Sequence, residues 1–214
     1  REKTLNLVGK QRSKLRDSLM PSYVKGKVRP TLLVDAIDTE LEKIGGGYIT
    51  NEQFAARYDA VSPGLSERNN ILMKGAGGSE GWGVGAGIGA KLAVGEKPVI
   101  GLVGDGSLYY ADSGLWTAVH HNVPLLYVIP NNGAYGIVAG FFGQSGGRMS
   151  DTGSYQGVVL DGIDPVKIAD AFGMEGERVD DEEKLNKTIE RALEIVMKQN
   201  RPYLLDVRLP LGLP

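Results

Sequence analysis

Two short polar motifs near the middle of the chain contain the residue types best suited to chemistry. The first is Gly104-Asp105-Gly106-Ser107, and the second is Asn131-Asn132-Gly133. A carboxylate from Asp105, an amide oxygen from Asn132 and a backbone carbonyl from the turn Gly133-Ala134 form an oxygen-only set that Mg²⁺ accepts when phosphates complete its shell. Backbone N–H groups opening a helix after the first motif can bind a phosphate. These residues therefore predict a site for a metal ion and a phosphorylated ligand.

Each motif follows an apolar run that is typical of a buried parallel strand. The runs Pro98 to Val103 and Leu125 to Ile129 are short and rich in branched side chains. Between them, the apolar positions of 108–119 fall on one side of a helix. A strand–helix–strand unit with a right-handed crossover places both motifs at the carboxyl ends of strands, where open α/β sheets bind ligands.

The bulk composition is that of a soluble globular protein and excludes several classes of function. The 214 residues are 42% hydrophobic and 23% charged, which suits one domain with a substantial core. A net charge of −2 argues against a nucleic-acid or anionic-membrane partner. The absence of cysteine excludes disulfides and thiolate metal sites, so a cytoplasmic setting is expected. No apolar run is long enough to span a membrane, and the start at Arg1 rather than Met suggests a fragment or a processed product.

The two motifs belong to a longer pattern that resembles a known family. Gly104-Asp105-Gly106 followed by Asn131-Asn132 resembles the cofactor motif of thiamine diphosphate enzymes. The composite GDGSxxYxxSxLWTAxxxNxPxxxVIxNNGxYG is similar to the pattern of the benzoylformate decarboxylase and acetolactate synthase group. The resemblance implies a three-layer α/β/α fold with a mainly parallel sheet, formed by residues 30–214. Residues 1–29 are then a linker or the tail of a preceding central domain.

The resemblance also implies roles for individual residues. Mg²⁺ is expected to bind the side chains of Asp105 and Asn132 and the carbonyl of Ala134. The expected cofactor-binding residues are Gly104, Asp105, Gly106, Ser107, Asn132, Ala134, Tyr135, Gly136, Gln53 and Glu80. Ile137, Val138 and Phe141 are expected to line the substrate pocket, although apolar residues at such positions can equally be core.

Two of these assignments have open alternatives. The family holds the diphosphate partly through a loop after the first strand, which favours Gln53 or Asn51, but an ordinary polar loop fits as well. Glu80 falls where the family carries a bulky apolar side chain that props the cofactor in its bent shape. If the alignment through this glycine-rich loop shifts, Trp82 takes that position instead.

Two further patterns resemble binding sites but are better explained by structural roles. Gly85-Ala86-Gly87 with Ala90 fits the dinucleotide fingerprint G-x-G-x-x-A, but no strand immediately precedes it, so a glycine loop feeding a closely packed helix is the better account. His120 and His121 are adjacent and point about 100° apart on a helix. They are therefore interpreted as a solvated helix end rather than a metal site.

The complete enzyme is expected to decarboxylate a 2-keto acid and then release an aldehyde or join the product to a second carbonyl compound. The resemblance implies a pyrimidine-binding domain, from the same or another chain, whose glutamate activates the cofactor, so the catalytic residues are expected outside this chain. A homodimer or homotetramer is expected. A subunit of a thiamine diphosphate-dependent 2-oxoacid oxidoreductase, or a non-catalytic module on the same fold, remains an alternative.

Several segments complete the expected architecture. Helices are predicted over residues 31–44, 165–172 and 182–198, and strands over residues 48–50 and 202–209. The glycine- and serine-rich segment 143–162 has few apolar anchors and is predicted to be a mobile loop that orders when the cofactor binds.

Overall fold

The computed structural model describes residues 21–53, 55–56, 69–75 and 77–211, together with six separate helical positions between residues 4 and 17. The strands are β1 (Tyr48–Glu52), β2 (Ile71–Met73), β3 (Val99–Val103), β4 (Leu126–Asn131), β5 (Gly176–Val179) and β6 (Tyr203–Arg208). The helices are α1 (Pro30–Lys43), α2 (Gly83–Val94), α3 (Asp105–Ala111), α4 (Gly114–His120), α5 (Gly136–Ser145), α6 (Arg148–Thr152), α7 (Pro165–Ala171) and α8 (Leu185–Gln199), with a 3₁₀ turn at Glu182–Lys184.

The strands form a parallel sheet in the order β2-β1-β3-β4-β6-β5. From β1 the chain moves outward to β2, and from β3 it moves the opposite way to β4. The carboxyl ends of β1 and β3 therefore flank the point where the strand order reverses, which is where such sheets form a ligand crevice.

Helices cover both faces of the sheet, and the strands show why. In β4, Leu126 and Val128 contact one apolar cluster, which includes residues of α1 and α8. Tyr127 and Ile129 contact the opposite cluster, which includes residues of α2, α3, α4 and α7. Because successive strand residues point to opposite faces, an unbroken apolar run is buried on both sides. The predicted three-layer α/β/α fold with a parallel sheet is confirmed.

Two predictions about helices were wrong. The segment 108–119 is not one helix, because α3 ends at Ala111 and α4 begins at Gly114. The intervening Asp112 and Ser113, with Gly114, have low helix propensity, which favours a break there. The segment 143–162 is not wholly loop, since it contains α6 and is anchored by the buried side chains of Tyr155 and Val158.

The predicted strand over residues 48–50 continues to Glu52, and two edge strands, β2 and β5, were not predicted. Fourteen of the 29 residues in the segment 1–29 lie outside the described residues. At its end, Val28 is fully buried and its N–H donates to the carbonyl of Arg208 (2.7 Å), so this part packs against the sheet. None of the helices in the described part of the chain has the length and apolar character needed to cross a membrane.

Candidate functional site

A cleft of about 920 Å³ lies at the carboxyl ends of β1, β3 and β4. Twelve of the residues singled out from the sequence line it: Gln53, Glu80, Gly104, Asp105, Gly106, Ser107, Asn132, Ala134, Tyr135, Gly136, Ile137 and Val138. Phe141 is not among the lining residues, and its side chain is 63% exposed on α5. The fold thus brings both polar motifs to one opening.

Asp105 is the buried carboxylate of this cleft. It is the first residue of α3, follows the extended Gly104 and is only 3% exposed. Its Oδ2 accepts a hydrogen bond from the N–H of Gly133 (2.8 Å). Burial raises the pKa of Asp105 to about 6, while the N–H groups of Gly106 and Gly133 act in the opposite direction. The charged form is therefore held at a cost that a bound cation would offset.

The two adjacent asparagines have different surroundings. Asn131 is 1% exposed, and its Nδ2 donates to Oδ1 of Asp206 (2.8 Å). The other carboxylate oxygen of Asp206, Oδ2, accepts from Nε of Arg178 (3.2 Å). Asn132 lines the cleft, and its Nδ2 donates to the carbonyl of Leu211 (3.2 Å). This contact uses the amide nitrogen of Asn132, so its amide oxygen is the atom suited to a cation.

The turn after β4 is held by a short antiparallel pairing. The N–H of Tyr135 donates to the carbonyl of Val158 (2.9 Å), and the N–H of Leu160 donates to the carbonyl of Gly133 (2.8 Å). The carbonyl of Ala134 accepts from the N–H of Gly136 (2.9 Å). The backbone conformation of this turn is therefore fixed by the segment that follows α6.

Gly106 allows an aromatic ring to pack directly on α3. A Cβ atom at this position would lie 2.6 Å from a ring carbon of Tyr135, which is too close for any side chain. The glycine of the first motif and the tyrosine after the second motif are thus in contact. The sequence predicts contact with the cofactor for both residues but does not predict the contact between them.

Glu80 lines the cleft and is hydrogen-bonded to Ser107, another residue expected to bind the cofactor. The hydroxyl of Ser107 donates to Oε2 of Glu80 at 2.7 Å. Trp82 also lines the cleft, with its indole packed over Gly75, where an added Cβ would lie 2.6 Å from a ring atom. Both candidates for the position beside the cofactor therefore line the same cleft.

Gln53 is buried and is engaged in a local turn. Its Nε2 donates to Oδ1 of Asn51 (2.9 Å), and its Oε1 accepts from the N–H of Ala56 (2.7 Å). Asn51 belongs to β1 and is buried, so it is not part of a loop as expected. The neighbouring Phe54 lies outside the described residues. Contact between Gln53 and a diphosphate remains a prediction.

Sequence reasoning missed Glu52, the last residue of β1, which is 4% exposed and borders the cleft. Its Oε1 accepts from the N–H of Gly81, and its Oε2 accepts from the N–H of Gly83. Burial raises the pKa of Glu52, and these backbone N–H groups oppose that effect. The polar residues that follow the predicted strand 48–50 were the available signal, but the glycine partners of Glu52 are distant in sequence.

The oxygen chemistry of the cleft fits a cation that brings its own anionic ligands. Across the described residues, no group of three or more His, Cys, Asp or Glu side chains is placed to hold a metal ion. A divalent ion here would have one carboxylate, Asp105, with neutral oxygens, and would need further oxygens from a ligand such as a diphosphate. His120 and His121 are exposed at the end of α4, with Trp116 stacked on His120 at 4.5 Å.

Comparison with known proteins agrees with this geometry. The family described as "Thiamine pyrophosphate enzyme, C-terminal TPP binding domain" matches residues 51–207, which include both motifs. The chain belongs to this family. Thiamine pyrophosphate is another name for thiamine diphosphate, so family membership implies that cofactor and confirms the resemblance seen in the sequence.

The relatives of this domain are longer proteins. The benzoylformate decarboxylase of Pseudomonas aeruginosa is 31% identical over 186 residues, covering 85% of this chain and 32% of that protein. The acetolactate synthase isozyme 3 large subunit of Escherichia coli is 28% identical over 187 residues, covering 85% and 30%. The solved thiamine diphosphate-dependent 4-hydroxybenzoylformate decarboxylase of Rhodococcus jostii RHA1 superposes with a TM-score of 0.73 at 29% identity, covering 88% and 34%. The chain spans about a third of the length of these relatives.

Proposed function

We propose that this thiamine diphosphate-binding domain also binds Mg²⁺ and serves an enzyme that decarboxylates 2-keto acids, with or without joining the product to a second carbonyl compound. The observation that carries the proposal is the position of Asp105. Its buried carboxylate lies at the tip of β3, in one cleft with Asn132 from the tip of the neighbouring β4.

In this proposal the residues of the cleft hold and orient the cofactor. The side chains of Asp105 and Asn132 and the carbonyl of Ala134 bind Mg²⁺. Gly104, Gly106 and Ser107 lie beside the diphosphate, where the absence of side chains at the two glycines lets the backbone approach. The bound cofactor supplies an electron sink for loss of carbon dioxide, and the protein supplies binding and orientation.

Electrostatics make the metal and the diphosphate cooperative ligands of this cleft. The Asp105 carboxylate and the Glu80 carboxylate both lie in the wall, so a bare diphosphate meets like charges. A divalent cation between Asp105 and the diphosphate reverses that repulsion. We therefore expect each ligand to strengthen the binding of the other, as linkage requires.

The substrate is expected to meet the apolar side chains at the start of α5. Ile137 and Val138 line the cleft, which supports their assignment to a substrate pocket. The assignment of Phe141 is weaker, because this side chain lies outside the cleft lining. The glutamate that activates the cofactor and the pyrimidine-binding domain are proposed to come from another part of the enzyme, in a homodimer or homotetramer. A cytoplasmic setting is also proposed, from the cysteine-free composition.

One observation favours a second candidate, a non-catalytic module on the same fold. The hydrogen bond between Glu80 and Ser107 places a carboxylate on a hydroxyl that the first proposal assigns to the diphosphate. If this contact persists against the ligand, the cleft does not take the cofactor. The two candidates therefore differ in whether the chain binds Mg²⁺ and thiamine diphosphate at all.

Calorimetric titration of the chain with thiamine diphosphate, in the presence and absence of Mg²⁺, tests the proposal. We expect saturable binding that requires Mg²⁺ and is lost in the Asp105→Ala variant. The matched control is Asp170→Ala, which removes an exposed carboxylate of α7 outside the cleft lining and should bind like the unmodified chain. Absence of binding in the unmodified chain would instead support the non-catalytic module. The substrate is then sought by assaying the complete enzyme against a panel of 2-keto acids.

A further inference from the structure

Glu52 joins the end of β1 to a segment that lies along the cleft. This segment, residues 77–83, is called here the cleft loop, and it leads into α2. Both carboxylate oxygens of Glu52 accept backbone hydrogen bonds from it, Oε1 from Gly81 and Oε2 from Gly83. Because both oxygens are engaged by N–H donors and the side chain is 4% exposed, Glu52 is suited to holding structure rather than to exchanging protons.

The carboxylate performs the capping that the helix lacks locally. Gly83 is the first residue of α2, and the residue before it, Trp82, makes no side-chain capping hydrogen bond. The first N–H groups of a helix need an acceptor from elsewhere, and a negative charge is favourable at that end. Glu52, at the end of β1, provides both the acceptor and the negative charge. The direction in which the cleft loop enters α2 therefore depends on this side chain.

Glycine is required on the loop side of the contact. A Cβ atom at Gly83 would lie 2.6 Å from Oε2 and 2.7 Å from Cβ of Glu52. Gly81 has φ +93°, a conformation that other residues rarely adopt, and its Cβ would lie 2.8 Å from Cβ of Tyr110. The two glycines that flank Trp82 therefore allow the backbone to close onto the carboxylate and onto α3.

The cleft loop carries two side chains into the proposed cofactor site. Glu80 directly precedes Gly81 and accepts the hydroxyl hydrogen bond of Ser107 at 2.7 Å. Trp82 stands between Gly81 and Gly83 and also lines the cleft. Because Glu52 binds the backbone on both sides of Trp82, displacement of this carboxylate would move both side chains together.

We propose that Glu52 is a positioning residue for cofactor binding, which holds the cleft loop so that Glu80 and Trp82 border the bound thiamine diphosphate. This inference rests on the proposed function. Glu52 would act through the backbone of the cleft loop, because both of its carboxylate oxygens already accept hydrogen bonds from Gly81 and Gly83.

The test uses Trp82 as a reporter in the whole chain. The sequence contains two tryptophans, so Trp116→Phe leaves Trp82 as the only one, and Trp116 is a half-exposed residue of α4 outside the cleft lining. In this background, Glu52→Gln keeps the shape of the side chain but offers one acceptor oxygen and turns an amide NH₂ toward the second N–H. Gly83→Ala breaks the same contact from the other side. Gly85→Ala is the matched control on the same helix, because a Cβ atom at Gly85 would have no neighbour within 4 Å.

We expect Glu52→Gln and Gly83→Ala each to raise the Kd for thiamine diphosphate, at saturating Mg²⁺, at least tenfold. Both should also shift the emission of Trp82 before any ligand is added. Gly85→Ala should change neither quantity. The double variant Glu52→Gln/Gly83→Ala should bind no more than about twofold more weakly than either single variant, since both substitutions break one contact.

Three outcomes would overturn the inference. Unchanged affinity in both variants would show that the cleft loop is held without Glu52. Weaker binding with unchanged Trp82 emission in the unliganded chain would show that Glu52 contacts the ligand rather than positioning the loop. Equal losses in Gly83→Ala and Gly85→Ala would point to a general effect on α2. Failure of the proposed function is distinct, because the Trp116→Phe chain itself would then not bind the cofactor.

Discussion

Asp105 and Asn131 accept hydrogen bonds from the same backbone N–H, that of Gly133, at 2.8 and 3.0 Å. This shared donor ties the tip of β3 to the tip of β4 across the cleft. Asn131 in turn donates to Asp206 (2.8 Å), which is fully buried on β6 and also bound by Arg178. The proposed metal-binding turn is therefore supported from behind by a polar network that spans β4, β6 and β5.

The two adjacent asparagines allow stability and metal binding to be separated. Asn131→Ala removes the donor to Asp206 and an acceptor of Gly133, leaving buried polar atoms unpaired. We expect a loss of about 1–3 kcal/mol in the free energy of unfolding. Asn132→Ala removes one hydrogen bond at a half-buried site and should cost about 0.5 kcal/mol. It should nevertheless abolish Mg²⁺-dependent cofactor binding, because it removes a proposed ligand of the metal ion.

Urea unfolding and calorimetry on both asparagine variants check this separation. We expect Asn131→Ala to lose much stability but still to show Mg²⁺-dependent binding at urea concentrations below its unfolding midpoint. We expect Asn132→Ala to lose little stability but to show no Mg²⁺-dependent binding. Equal stability losses in the two variants, or Mg²⁺-dependent cofactor binding that is unchanged in Asn132→Ala, would contradict the roles assigned to them.

The stability of the unliganded chain should fall as pH rises through 6, because of Asp105. Burial raises the pKa of this carboxyl from 3.8 to about 6, so between these values the folded state binds more protons than the unfolded state. The stabilising effect is fully present below pH 3.8 and is lost as pH rises through about 6. The full difference is on the order of 3 kcal/mol.

The Asp105→Asn variant isolates this effect from the other carboxyls whose pKa burial also raises, Glu52 and Asp206. Thermal unfolding between pH 4 and 8 should show a smaller decline in the variant than in the unmodified chain. Mg²⁺ with thiamine diphosphate should raise the Tm of the unmodified chain more at pH 7.5 than at pH 5, because the cation compensates only the charged form. Parallel pH profiles with and without the substitution would refute this account.

The sequence predicted the central strand–helix–strand unit and the edge of the sheet where the site lies, because β3 and β4 are long, fully buried and uninterrupted. It did not predict β2 and β5, which have three and four residues and are largely unburied, so their apolar pattern is too short to recognise. The break between α3 and α4 was missed because apolar spacing continues across Asp112 and Ser113.

The contact between Glu52 and the cleft loop shows a second limit of sequence reasoning. The strand pattern in YITNEQ loses its apolar character at Asn51, so the strand was predicted to end at Thr50. Burial of Glu52 is possible only because glycines distant in the chain present their N–H groups to it. Local pattern contains no information about such partners. For the same reason, the sequence predicted that Glu80 lies at the cofactor site but did not predict its hydrogen bond with Ser107.

Gly106→Ala sets helix propensity against steric fit, and we expect steric fit to decide. Alanine is favoured over glycine inside a helix by roughly 0.5–1 kcal/mol, which alone would stabilise α3. The added Cβ, however, would lie 2.6 Å from the ring of Tyr135, and overpacking of this kind costs about 1–3 kcal/mol. Urea unfolding should therefore show net destabilisation in Gly106→Ala but not in Gly104→Ala, whose Cβ would have its nearest neighbours at 3.7 Å. In a Tyr135→Ala background the steric penalty should be absent. The double variant Gly106→Ala/Tyr135→Ala should therefore be no less stable than Tyr135→Ala alone. Destabilisation by Gly106→Ala that persists in the Tyr135→Ala background would show that the ring is not the cause.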